Sequence, residues 1–211
     1  MPASALPGEP QDVFDGGARQ LTDHGRQRKQ QLLDAAAELF AVSGFAGTRV
    51  EDICRRAGVA KGLFYWYFPT KQELFAELVR TMRHRLRRAQ AEAMDPQSDC
   101  VSRIRQGTEA SVRFQAAHAG YFALLDVERA DASHAELLRE GGAVYLRDVV
   151  ALVSAGQREG TIRDGDPGLL ALGVLGAVSS FTHAWRNGRT EVDANELAEA
   201  VGVWVTRALA R

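Results

Sequence analysis

The sequence has few of the residues that bind metals or cross-link secreted proteins. Its 211 residues include two cysteines, Cys54 and Cys100, and five histidines. Two cysteines cannot form a disulfide framework, and no Cys/His group has the spacing of a zinc site. Cys54 falls in a helical pattern and is interpreted as a small core residue. We therefore expect neither a metal nor a cofactor.

Signatures of catalysis and of protein targeting are also missing. There is no glycine-rich phosphate loop, no compelling carboxylate pair and no β-type alternation. Residues 1–22 carry no apolar run long enough for a signal peptide, and their Pro, Gly and Ala content predicts a disordered tail. We expect a cytoplasmic protein that is not an enzyme. A small helical enzyme acting on an anionic substrate is kept as an alternative.

The net charge of −1 conceals an asymmetry along the chain. Residues 19–90 contain 14 Lys/Arg and 7 Asp/Glu, whereas residues 91–211 contain 12 Lys/Arg and 17 Asp/Glu. A basic first third joined to an acidic remainder suggests a polyanion-binding module followed by a module with another task. A basic face that is merely solvated is the alternative.

Apolar spacing predicts helices throughout, and the class is all-α with about nine helices. Thr48 with Glu51, and Thr70 with Glu73, have the spacing of capping boxes that open helices. Gly58 has the position of a helix C-terminal glycine. The other predicted helices cover about 26–43, 99–118, 120–130, 133–157, 167–187 and 193–210.

Five consecutive aromatic residues, Phe64 to Phe68, lie within the helix that follows Gly58. At 100° per residue, Phe64 and Phe68 share the core side, Tyr65 and Trp66 point outward, and Tyr67 lies at the margin. The alternative is that Tyr65 and Trp66 pack on the next helix.

The stretch "TRVEDICRRAGVAKGLFYWYF" therefore reads as helix, glycine turn and helix, the pattern of a helix-turn-helix unit. The second helix of such a unit lies in the major groove of DNA. The sequence predicts double-stranded DNA as a partner. A helical adaptor that does not bind DNA is the competing interpretation.

Residues 26–79 resemble the DNA-binding domain of the tetracycline-repressor (TetR) family. The matching series is "AAAELFAVSGFAGTRVEDICRRAGVAKGLFYWYFPTKQELF". The resemblance implies a three-helix DNA-binding domain at 25–85, with its helix-turn-helix at about 49–68. It also implies an antiparallel helical ligand-binding and dimerisation domain at 86–211. The expected protein is a homodimeric repressor that binds a palindromic operator and is released by a small-molecule inducer.

The resemblance also implies roles for individual residues. Thr48 would bind a phosphate, Lys61 and Gly62 would lie against base edges, and Tyr65, Trp66 and Lys71 would grip the DNA backbone. Tyr67 stands where the family often has a backbone-contacting histidine. The remaining predicted contacts are Arg28, Arg49 and Leu63.

Two positions depart from the family pattern. Ala60 stands where serine is frequent, and Leu63 stands where threonine or another polar residue is common. A leucine cannot hydrogen-bond a base, but it can pack on a thymine methyl group.

The C-terminal part offers two further sets of residues. Apolar side chains with a few polar groups suggest a ligand pocket lined by Phe114, His118, Tyr121, Phe122, Asp126, Tyr145 and Phe181. Ordinary core or surface positions are the alternative for each of them. Small and apolar stripes on the last two helices predict a dimer interface at Gly173, Gly176, Ala177, Ser180, Ala184, Val201, Trp204, Val205 and Ala208. A buried intrachain helix is the alternative to the interface. The stretch "PGLLALGVLGAVSSFTHAW" is just long enough for a membrane span, but no other feature suggests a membrane protein.

Overall fold

The computed structural model of the chain describes residues 22–129 and 131–211, and it confirms the all-α class. The predicted tail lies outside these residues, apart from Thr22. Within the described ranges the chain forms nine helices. They are α1 (Asp23–Gly47), α2 (Val50–Ala57), α3 (Lys61–Tyr67), α4 (Lys71–Ala93), α5 (Cys100–Ala117), α6 (Ala119–Glu128), α7 (Ala132–Glu159), α8 (Pro167–Arg186) and α9 (Ala194–Leu209).

Two glycines with positive φ bend the chain on either side of α2, Gly44 before it and Gly58 after it. Gly44 has φ 70° and ψ 168°, which interrupts α1 and turns Phe45 back into the core. Gly58 has φ 66° and ψ 35° and ends α2 as predicted. A side chain at either position would be strained.

The predicted capping box at Thr48 is wrong, whereas the helix cap at Thr70 is confirmed. The Thr48 hydroxyl donates to the carbonyl of Gly44 at 2.8 Å, and Arg49 occupies the N-cap of α2 without a side-chain bond. The bend at Gly44 brings that carbonyl within reach, so the hydroxyl faces inward. Thr70 Oγ1 accepts from the amide of Glu73 at 3.1 Å.

The buried apolar residues form two separate cores. The first is built by α1–α4 and is completed by Tyr121, Leu124 and Leu125 from α6. The second joins α5, α7, α8 and α9. Because α4 runs without a break from Lys71 to Ala93, the predicted domain boundary at residue 85 falls inside a helix.

Among helices of the described part, α8 is long and apolar enough to cross a bilayer, and 28% of its most apolar stretch is buried in the chain. Its N-terminus has the predicted form, since Asp166 accepts from the amide of Leu169 at 2.8 Å and Pro167 follows. Val174 and Val178 pack in the second core. Ala171 and Ala177 are buried there as well, whereas Leu169, Leu172 and Phe181 are exposed on the outer side of α8.

Close packing of α7 makes one glycine sensitive to substitution. A Cβ added at Gly156 would lie 2.6 Å from Ile162 Cδ1 and 2.9 Å from Cys100 Cβ, both buried. At Gly142 of the same helix an added Cβ would meet nothing within 4 Å.

We predict that Gly156→Ala lowers the free energy of unfolding by about 1–3 kcal/mol because it overpacks this contact. Gly142→Ala is the matched control and should be neutral or stabilising by up to about 1 kcal/mol, since alanine favours the helix. Urea denaturation followed by circular dichroism measures both. Equal stability of the two variants would contradict the packing argument.

Candidate nucleic-acid interface and effector cavity

The aromatic run on α3 divides between core and surface as its period predicts. Phe64 is 0% exposed and Phe68 3%, whereas Tyr65 and Trp66 are 48% and 52% exposed. Tyr65 and Trp66 therefore do not bury themselves on α4. Their hydroxyl and indole N–H groups are available to hydrogen-bond phosphate oxygens.

The start of α3 is open on the same side. Gly62 is exposed, and a Cβ built there would meet nothing within 4 Å, so a partner can approach the backbone closely. Lys61 is exposed and forms an ion pair with Glu51 of α2. The hydrogen bond from Lys61 holds the pKa of Glu51 below its ordinary value. Leu63 is half-buried, between the open face and the core.

Tyr67 positions the surface rather than forming its outermost part. Its hydroxyl donates to the carbonyl of Gly25 at 2.9 Å, which ties the end of α3 to the start of α1. Its ring meets Trp66 edge to face, with centroids 4.6 Å apart. Arg28, also half-buried, donates to Gln31 at 3.0 Å. The two contacts of Tyr67 hold Trp66 and the first turn of α1 in place.

Lys71 has a structural position that differs from the predicted phosphate contact. Its ammonium group donates to the carbonyls of Phe45 at 2.6 Å and Thr48 at 2.8 Å, and it lies 4.4 Å from the centre of the Phe45 ring. Burial lowers the pKa of Lys71. The Thr48 side chain is likewise inside, at 3% exposure. Both side chains are held by contacts within the subunit, whereas Arg49, which follows Thr48, is exposed.

A cavity of about 550 Å³ lies between α4, α6, α7 and α8. Four residues of the predicted pocket line it: Tyr121, Phe122, Asp126 and Tyr145. Phe114 and His118 instead stack on one another with centroids 4.2 Å apart, and Phe181 packs against Trp204 on the outside. These last three were wrongly assigned to the pocket because helical spacing does not show which side of the bundle a residue faces.

The sequence analysis missed the basic residues of the cavity. They are Arg80, Arg83, His84 and Arg87 from α4, Arg129 after α6, and Arg186 at the end of α8. The three arginines of α4 that line the cavity, Arg80, Arg83 and Arg87, recur at spacings of three and four. This spacing places them on one helix face and could have suggested a shared site. Arg186 joins them only through the tertiary fold.

The carboxylate of Asp126 interacts with several basic side chains. Arg186 Nη2 donates to Asp126 Oδ2 at 2.8 Å, His183 Nδ1 lies 3.0 Å from the same oxygen, and Arg129 Nη1 lies 3.9 Å from Oδ1. Burial acts to raise the pKa of Asp126, but the bonds from Arg186 and His183 outweigh it and the pKa is lowered. Asp126 is therefore a carboxylate at neutral pH.

One cluster in the described residues has the composition of a metal site, which the sequence did not predict. Ligand atoms of Glu128, Asp131 and His134 lie within 4.8 Å of one another. His134 Nδ1 is 2.8 Å from Glu128, and Asp131 accepts from the amide of Ser133 to cap α7. The His134 ring also packs against Phe45, with centroids 4.7 Å apart. We interpret the cluster as a hydrogen-bonded joint between the α6–α7 connection and the first core.

The predicted dimer interface needs partial correction. Val201 and Val205 are buried inside the subunit because α9 packs its apolar stripe on α5, and Ala177 of α8 is buried in the same core. The exposed members are Gly173, Gly176, Ser180 and Trp204, while Ala184 and Ala208 are half-buried. Sequence analysis missed the large exposed side chains of the same surface, Leu169 (70%), Leu172 (51%) and Phe181 (39%).

Comparisons with known proteins match both halves of the chain. A family model described as "Bacterial regulatory proteins, tetR family" matches residues 32–78, and one described as "Tetracyclin repressor-like, C-terminal domain" matches residues 97–209. The second match alone covers more than half of the chain. The uncharacterized HTH-type transcriptional regulator YhgD of Bacillus subtilis (strain 168) is 23% identical over 184 residues, which are 86% of this chain and 96% of that protein.

Solved structures share the fold. The fatty acid degradation regulator FadR from Bacillus halodurans superimposes with a TM-score of 0.75 and 22% identity, over 85% of this chain and 94% of that one. A putative transcriptional regulator from Saccharomonospora viridis in complex with choline gives a TM-score of 0.75 and 15% identity, over 88% and 99% of the two chains. At these identities the likeness establishes the fold alone.

We predict that Lys71→Ala lowers the free energy of unfolding by about 1–2 kcal/mol, because buried carbonyls lose their charged donor. Lys61→Ala is the matched control and should leave the thermal midpoint unchanged, since its ion pair is on the surface. Differential scanning calorimetry of both variants measures the difference. A Lys71→Ala protein as stable as the parent would show that its ammonium group does not support the fold.

Proposed function

Since the chain belongs to the tetR family of bacterial regulatory proteins, and is thus a DNA-binding transcriptional regulator rather than an enzyme, we propose that it is a repressor. In this proposal a homodimer binds a palindromic operator in the cytoplasm, and a small-molecule inducer releases it. The two α3 helices would enter successive major grooves, about 34–36 Å apart.

The exposed face of α3 is the observation that carries the proposal. Lys61, Gly62, Tyr65 and Trp66 lie on one open side of the helix, while Phe64 anchors the other side in the core. An exposed tyrosine and tryptophan next to an unobstructed glycine backbone suit a DNA surface: the glycine permits close approach, and the aromatic donors fix the register on phosphates.

The remaining predicted contacts take revised roles. Arg49 is exposed beside the recognition unit and would contact the backbone directly. Arg28 and Tyr67 would support the surface through Gln31 and Gly25, as would Thr48 and Lys71 through the turn at Gly44 and Phe45. Leu63 would pack on a thymine methyl group.

Dimerisation is proposed through the outer surface of α8 and α9. Leu169, Leu172, Phe181 and Trp204 are large apolar side chains that face away from the subunit. Around them, Gly173 and Gly176 allow a second helix to approach closely, since an added Cβ at either position meets nothing within 4 Å. A symmetric four-helix contact would cover this surface and would also explain the apolar character of α8 without a membrane.

We propose the same two functional regions as the sequence suggested, 25–85 for DNA binding and 86–211 for effector binding and dimerisation. The continuous helix α4 and the shared core of α1 and α6 connect them. The neighbouring structures include one in complex with choline and one of a fatty acid regulator. Their likeness to this chain extends to the fold alone, so the effector of this chain has to be argued from its own cavity.

Selection of bound fragments from a random DNA pool tests the proposed function. Enrichment of an inverted repeat supports it. A protein that shifts no DNA fragment at low salt would instead favour a helical adaptor without DNA binding.

On the selected site, Trp66→Ala should weaken binding about thirtyfold across sequences, because each of the two subunits loses one phosphate donor worth about 1 kcal/mol. Val42→Ala is the control, since Val42 is 86% exposed on α1 and outside the recognition face. Fluorescence anisotropy at several salt concentrations measures both variants. Unchanged affinity of Trp66→Ala would remove that residue from the proposed interface.

Leu172→Asp should convert a dimer into a monomer, because two such charges would face one another across the two-fold axis. Asp164→Ala, a change at an exposed loop residue, is the control. Sedimentation equilibrium gives the mass of each variant. A dimer that persists in Leu172→Asp would place the interface elsewhere.

A further inference from the structure

The cavity between α4, α6, α7 and α8 combines an apolar body with a basic end. Leu86, Leu138, Val144, Leu175 and Val178 contribute apolar walls. Five arginines line it as well, whereas Asp126 is the only carboxylate among its described lining residues. A volume of about 550 Å³ suits a small ligand. The occupant must therefore present apolar surface together with a group that tolerates positive charge.

Two arginines on the α4 side of the cavity are paired with carboxylates outside it. Arg80 Nε lies 3.0 Å from Glu77, and Arg87 Nη2 lies 2.8 Å from Asp148. The excess lies at the opposite end, where Arg186, His183 and Arg129 share the single carboxylate of Asp126. Among the described residues, Asp126 is the one carboxylate paired with both Arg186 and Arg129, so one positive charge at this end is not balanced by them.

Arg186 provides the strongest evidence for that anion. Its side chain is 7% exposed, and only Nη2 has a hydrogen-bond acceptor, on Asp126. Nε and Nη1 are buried without a partner among the described residues. Buried donors on a charged group are costly to leave unsatisfied. Both edges of a guanidinium that match the two oxygens of a carboxylate or phosphate include Nη2, so an anion that binds two N–H groups would take Nη2 from Asp126.

A cationic ligand fits the same site less well. Aromatic rings such as Phe122 and Tyr121 can surround a quaternary ammonium group. The Phe122 ring, however, already has the Arg186 guanidinium 5.8 Å from its centroid. Asp126 is also committed to Arg186 and His183. A bound cation would have to face the arginine and take over its carboxylate.

We propose that this cavity binds an amphipathic anion, with a carboxylate or phosphate head group on Arg186 and an apolar chain along α4, α7 and α8. The inference rests on the proposed function, in which this cavity is the effector site. The head group would compete with Asp126 for Arg186. Because Asp126 is part of α6, whose Tyr121, Leu124 and Leu125 complete the first core, this exchange acts on the helix that contacts α1.

The test measures binding to the DNA-free full-length protein by isothermal titration calorimetry. The probes are dodecanoate, dodecyl phosphate and dodecyltrimethylammonium, each below its critical micelle concentration. They share a chain and differ in head group, so the two anions distinguish a carboxylate from a phosphate ligand. We expect at least one anion to bind in a 1:1 ratio and the cation to bind at least about tenfold more weakly.

Variants then identify the residues responsible. Arg186→Gln should lower the affinity for the anion about tenfold or more, and Arg186→Lys should retain part of that affinity. Arg189→Gln is the matched control, since Arg189 is exposed just beyond α8. Asp126→Asn should leave anion binding as tight or tighter, because it removes the competitor. Thermal melts of all variants establish that each is folded at the assay temperature.

The ligand class and the proposed function can fail independently in these experiments. Preference for the cation, loss of cation binding in Asp126→Asn, or no binding of either anion would overturn the proposal. An anion that binds equally well to Arg186→Gln would also overturn it. Release of the protein from its selected DNA is measured separately with the binding anion. Tight binding through Arg186 without release would preserve the ligand class and refute induction through this site.

Discussion

The first core depends on packing between the DNA-binding helices and α6. Helices α1–α4 do not close that core by themselves: Tyr121, Leu124 and Leu125 of α6 fill its remaining side and are at most 9% exposed. His134 from the start of α7 adds a further contact by packing against Phe45 and Phe75. Since protein interiors are close-packed, a displacement of α6 cannot be absorbed locally. The orientation of α3 is thus tied to an element of the effector half.

The same short helix presents Asp126 on its other side, where the carboxylate faces the cavity and binds Arg186 of α8. Glu128 lies on the core side instead, where it binds His134. A ligand can shift the equilibrium between two conformations only if it binds them unequally. Exchange of one buried ion pair supplies such a difference. Hydrogen bonds to charged groups contribute about 1.5–3 kcal/mol, and allosteric coupling energies are about 1–3 kcal/mol, so the Arg186–Asp126 contact is of sufficient size to couple the two sites.

The sequence predicted features that depend on local periodicity and missed those that depend on distant contacts. The helix period alone separates Phe64 from Trp66, and the cap at Thr70 needs only an amide three residues away. Lys71 could not be assigned in this way, because its acceptors at Phe45 and Thr48 are brought near by the bend at Gly44. The basic end of the cavity was missed for the same reason, since α6 and α8 meet there only in the folded chain.

The apolar stripe of α9 illustrates a further limit of sequence patterns. A stripe shows that a face is covered, but it does not show whether its partner belongs to the same chain. Val201 and Val205 are buried on α5, whereas Trp204 between them points outward. That side chain meets Phe181 of α8 at 6.2 Å between ring centroids, which joins the exposed parts of both helices into one surface. The surface that suits a second subunit is therefore defined by what the intrachain core leaves uncovered, and this becomes known only when that core has been located.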